Sequence, residues 1–204
     1  MHFFASCDNE TAHKSLMAFL LADSYFEAGL RGYQQFAGLY SPDPSSKGGL
    51  GHKITGTEHY ALFSAGMLLA FSIELYVKSM AGQRGLEVPW GHKIKEELIP
   101  SLSSEMVQDL RQRFDATKGQ ENLLAVDLNP ATESEHEKRS GQDSFDDAIT
   151  QVSRLFIDLR YVHEHLTAPK VRRIDFSNLI RIARAIRGSI TDFRGPKVVT
   201  HTGK

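Results

Sequence analysis

Glu74 and Lys78 lie one helical turn apart in the mostly apolar run Phe71-Ser72-Ile73-Glu74-Leu75-Tyr76-Val77-Lys78. An isolated carboxylate among apolar side chains costs several kcal/mol, so Glu74 requires a cation or hydrogen-bond donors beside it. Arg160 offers one from the other strongly apolar run, Leu155-Phe156-Ile157-Asp158-Leu159-Arg160-Tyr161-Val162-His163-Glu164-His165, where Arg160 and Glu164 also form an i,i+4 pair. With His92, these groups read as a polar cluster of Glu74, Lys78, His92 and Glu164 that holds the fold together.

Other chemistry is weaker in the residues. His163 and His165 invite a metal reading with His92, but a His-x-His pair on a helix points its rings apart and has no carboxylate at ligand spacing, so no metal or other cofactor is expected. The run Lys47-Gly48-Gly49-Leu50-Gly51-His52-Lys53 lacks the spacing of a phosphate-cradling loop. A serine-hydrolase reading has neither a Gly-x-Ser-x-Gly elbow nor an α/β pattern beneath it. Arg181, Arg184 and Arg187 recur at three-residue steps, a spacing that predicts a shared helix face able to track phosphates or to dock an acidic protein partner.

The elements that position these groups read as helices. Apolar residues recur at helical spacing over residues 9–36, where Gly29 and Gly32 are expected to bend or split the helix. Residues 57–80 are apolar on nearly every side, the mark of a central helix, and Gly82 and Gly85 are expected to stop it. A short turn of helix over 93–98, an amphipathic helix over 103–118 and further helices over 144–163 and 175–193 follow. Residues 41–56 and 129–143 read as flexible loops. Strand signals are nearly absent, the one candidate being residues 198–200. The expectation is a single all-α domain over residues 1–204, an up-and-down bundle of about five main helices.

The order Glu-Leu-x-x-Lys late in a central helix (Glu74, Lys78), then a Gly-His turn before a short helix (Gly91-His92-Lys93-Ile94 and Leu98), then Arg-Tyr near the end of a later helix (Arg160-Tyr161) resembles the HEPN superfamily, the higher eukaryote and prokaryote nucleotide-binding proteins. The resemblance covers residues 57–190. It implies a helical bundle that is usually dimeric, in a family that includes metal-independent ribonucleases, toxin and phage-defence components, and modules that only bind. The family's nuclease signature, an Arg followed after four to six residues by a His, would fall on Arg160 and His165, with Tyr161 at a position that is usually polar. Arg194 and His201 also fit that spacing. Such a ribonuclease takes the ribose 2′-proton with a base, protonates the 5′-leaving oxygen with an acid and neutralises the phosphorane with a cation, parts that Arg and His supply when two subunits combine.

Twenty-four Lys and Arg against 25 Asp and Glu leave a net charge of −1, so no global field selects a nucleic acid or membrane partner. The charge is nonetheless uneven: residues 96–147 carry thirteen acidic against five basic groups, and residues 170–204 carry nine basic groups against Asp175 and Asp192. The single cysteine, Cys7, fits a reducing compartment, and the cytoplasm is the expected location. Residues 61–77, the most apolar stretch, are short for a bilayer of about 30 Å and contain Glu74, so they read as a buried helix. Three functions follow: a binding or regulatory module in an RNA- or nucleotide-related process, an endoribonuclease using Arg160 and His165 across a homodimer, or an interaction module docking through the basic last helix.

Overall fold

The computed structural model describes residues 9–39, 57–88, 91–118, 125–127, 143–160 and 173–193; the two loops expected at 41–56 and 129–143 lie outside this set, save Asp143. The architecture is all-α. Five helices, α1 (Asn9–Leu39), α2 (Thr57–Gln83), α3 (Ser104–Ala116), α4 (Phe145–Arg160) and α5 (Phe176–Thr191), surround one core, with short strands β1 (Ala125–Asp127) and β2 (Arg173–Asp175) at its side.

α2 is central because its residues are apolar round most of its circumference: Leu62, Leu69, Ile73, Val77 and Met80 are all fully buried. Residues Ala61–Gln83 are long and apolar enough to cross a membrane by length and composition. In this fold much of their apolar surface is covered by α1, α4 and α5, with Met67 left exposed. α1 runs antiparallel to α2, since Ser79 Oγ donates to the Ser15 carbonyl at 2.8 Å, Tyr76 meets Asp23 further along, and Gly29 lies against Leu69.

Gly29 and Gly32 do not split α1, which is continuous over 31 residues. A Cβ on Gly29 would stand 2.8 Å from Leu69 Cγ and 3.0 Å from the Ala65 carbonyl oxygen, so the absent side chain lets the two helices approach closely. Of the two glycines expected to end α2, Gly82 lies within its last turn and Gly85 terminates it. Gly85 has φ 69°, and the backward bond from Leu86 N to Ala81 O at 3.0 Å satisfies a terminal carbonyl.

The connector after α2 makes one π-helical turn, Ile94–Leu98, in which Leu98 N reaches Lys93 O at 3.1 Å, then a 3-10 turn, Ile99–Ser101. Ile94 and Leu98 drop into the core. Local caps start the next helices: Ser103 Oγ accepts from Met106 N, Ser144 Oγ from Asp147 N and Asp175 from Asn178 N. α3 buries Met106, Leu110 and Phe114 at four-residue spacing, and α4 buries Phe145, Ala148, Ile149 and Val152.

The strands are a correction to the sequence reading. β1 and β2 pair antiparallel, with Val126 opposite Ile174, and β2 runs straight into α5. Three residues are too few to display a two-residue alternation, and the ribbon forms where Ile174 is carried into the core by α5. The strand candidate at 198–200 lies outside the described residues.

Candidate functional site

Two of the three motifs behind the resemblance, Glu-Leu-x-x-Lys and Gly-His, converge on one carboxylate. Glu74, 1% exposed in the second half of α2, accepts from Lys78 Nζ at 2.8 Å and lies 2.8 Å from His92 Nδ1, both at Oε1. Lys78 reaches it because four residues make one helical turn, whereas His92 arrives from the connector beyond the helix end. Oε2 is also buried and has no hydrogen-bond partner among the described residues. A second clasp holds the same connector to α4, where Ser153 Oγ donates to Glu96 and accepts from Lys95 N. The π-helical turn is thereby strapped between α2 and α4, and the His92 ring, 49% exposed, is the solvent-facing edge of the cluster.

The other members of the sequence-predicted sites fall unevenly. Arg160 is the last residue of α4 and its side chain is outside the described part; Glu164 and His165 are outside it altogether. The Arg160–His165 pair and the Arg160–Glu74 contact therefore have no described geometry.

The arginine stripe is corrected. Arg181 is 2% exposed: Nη2 donates to the Phe114 carbonyl at 2.8 Å, Nε to Thr117 Oγ1 at 3.1 Å and Nη1 to Asn178 Oδ1 at 3.4 Å, with the guanidinium 3.7 Å over the Phe114 ring. Burial pushes its pKa down, opposed by Asp115, Asp175 and Asp143. Arg187 turns the other way, onto Asp23 of α1, at 3.0 Å from Nε and 3.2 Å from Nη2. Arg184, between them, is exposed. The physical reason is rotational: at about 100° per residue, three-residue steps carry Arg181 and Arg187 about 120° apart round the axis. Each flank meets a different neighbour, α3 or α1, and no phosphate-tracking face made of all three remains.

Asp23, a polar residue within the apolar period of α1, anchors a network that sequence reasoning missed. It accepts a hydrogen bond from the Tyr76 hydroxyl and faces Arg187 at the same time. Burial, then the hydrogen bond to Asp23, pushes the Tyr76 pKa well above its ordinary value. Burial also works against the charge on Arg187, but Asp23 outweighs it and the pKa rises.

A cleft of about 490 Å³ between α3, the end of α5 and the end of α2 was also missed. Arg113 spans it, with Asp109 at 2.9 Å and Asp192 at 2.8 Å, while Arg84 stacks on Phe193 with its guanidinium 4.6 Å from the ring centre. The i,i+4 spacing of Asp109 and Arg113 was its one sequence signal. Its charges are largely engaged with one another, which makes it a latch between helices. Among the described residues no three His, Cys, Asp or Glu side chains gather as a metal site. Comparison with protein families, with curated proteins and with solved structures finds no match to this chain.

Proposed function

We propose that the chain is a HEPN-like helical-bundle module that binds rather than cuts, acting in the cytoplasm in an RNA- or nucleotide-related process. The observation that carries this reading is the convergence of two of the resemblance motifs, Glu-Leu-x-x-Lys and Gly-His, on the buried carboxylate of Glu74. That carboxylate is occupied in fastening the 91–98 connector to α2, a scaffolding duty. Docking an acidic partner through α5 is the less favoured reading, because Arg181 and Arg187 are engaged within the fold.

The test is a gel shift with single-stranded RNA at low and moderate salt, run in EDTA, with the RNA recovered and sized afterwards. A salt-sensitive shift with intact RNA is the expected result, since phosphate contacts weaken as counterions compete. No RNA or nucleotide binding at low salt overturns the reading. EDTA-resistant cleavage that disappears in His165→Ala replaces it with the endoribonuclease alternative.

A further inference from the structure

Large apolar side chains stand exposed at four described positions: Met17 (52%), Leu20 (50%) and Leu21 (44%) on α1, and Met67 (41%) on α2. The three on α1 follow i, i+3, i+4 spacing and form one patch on the side of the helix away from the buried Ala22, Phe26 and Tyr33. Charged residues extend the same exposed stripe in both directions, Glu10 and Lys14 before the patch and Glu27 and Arg31 after it. From Glu10 to Arg31 the stripe is about 31 Å long at 1.5 Å per residue.

Its order has a hidden symmetry. Turned end for end about a point between Leu20 and Leu21, the stripe sets Leu20 against Leu21, Met17 against Ser24, Lys14 against Glu27 and Glu10 against Arg31. Every charge then meets its opposite, and the large Met17 meets the small Ser24. A parallel pairing would instead set Glu10 on Glu10 and Lys14 on Lys14.

We propose that a second copy of this chain docks on the outer face of α1, antiparallel to it, about a two-fold axis between Leu20 and Leu21. The arrangement is isologous and closes with two copies, as a self-complementary patch must. The apolar centre supplies the burial, and the charges at the rim set direction and register. A shallow crossing, near the 20° of helices packed along their length, keeps both charged ends in reach. Within one copy Lys14 already pairs with Glu10 at 2.6 Å, but both side chains are mostly exposed, and so loose a pair is easily absorbed into a four-charge cluster with Glu27 and Arg31 of the second copy. Two acidic residues in the stripe disfavour an anionic membrane surface as the occupant. The proposal does not depend on the RNA reading.

Sedimentation velocity of the full chain across a concentration series tests it. Wild type should dimerise in the micromolar range, and Leu20→Asp should be monomeric with unchanged helix content. Lys14→Glu and Glu27→Lys should each weaken the dimer about tenfold or more at low salt. An equimolar mixture of those two variants should recover it, because a Lys14→Glu copy opposite a Glu27→Lys copy restores attraction at both contacts. Wild type that stays monomeric at about 100 µM, whether or not it binds vesicles or another protein, overturns the proposal. So does a dimer that survives Leu20→Asp, or variants that fail to recover on mixing.

Discussion

Arg181→Ala separates a structural arginine from a phosphate-binding one. In the fold the guanidinium gives Nη2, Nε and Nη1 to three different acceptors and covers the Phe114 ring. Truncation removes the charge-assisted hydrogen bond to the Phe114 carbonyl, worth about 1.5–3 kcal/mol, although that oxygen keeps Thr117 Oγ1 and Thr117 N as donors. It also removes the cation–ring contact, about 0.5–2 kcal/mol. Relief of the desolvation that lowers the Arg181 pKa offsets part of this, leaving a destabilisation of about 2–4 kcal/mol. Equilibrium urea unfolding reads that as a midpoint lowered by about 1–2 M for a slope of about 2 kcal/mol per M. Arg181→Lys should recover little, because a point-like ammonium cannot serve three acceptors set around a planar fork. Arg184→Ala, at the exposed position between the two packed arginines, should change stability by no more than about 0.5 kcal/mol. An Arg181→Ala protein with the wild-type midpoint, or full recovery by Lys, would show that the side chain is not holding α5 to α3.

Tyr76 makes the fold alkali-sensitive: its raised pKa means that the folded state keeps a proton which the unfolded chain releases near pH 10. This contribution is complete below about pH 10 and declines above it by up to about 1.4 kcal/mol per pH unit. Urea midpoints across that range should fall less steeply in Tyr76→Phe than in wild type, and identical slopes would refute the assignment. Glu74→Ala leaves Lys78 only 17% exposed without its carboxylate and unfastens His92. The expected loss is about 3 kcal/mol, the low end for a broken buried pair because Ala also removes the unpartnered Oε2. Hydrogen exchange should accelerate at the amides of Ile94–Leu98; an unchanged midpoint with unchanged protection there would remove Glu74 from its structural role.

Much of this molecule was written locally. Helical periodicity placed all five helices, since a 3.6-residue period is a property of neighbouring residues. The starts expected at 103, 144 and 175 fall on residues that cap their helices, each bonding to the backbone three residues away. The demand of Glu74 for a cation was equally legible, and Lys78 meets it from the next turn. What tertiary structure alone decided is whatever depends on which side of a helix finds a neighbour. Arg181, Arg184 and Arg187 are the same residue type at even spacing, yet one is sealed against Phe114, one faces solvent and one clamps Asp23. Gly29 looked like a helix breaker until α2 lay against it, and the strand pair Val126–Ile174 exists only because distant segments meet beside α5. Asp23 finds its partners 53 and 164 residues away. Sequence spacing reports contacts within about one turn of a helix; the rest is set by how curved apolar faces exclude water from one another, and that packing chooses the partners of the polar groups it encloses.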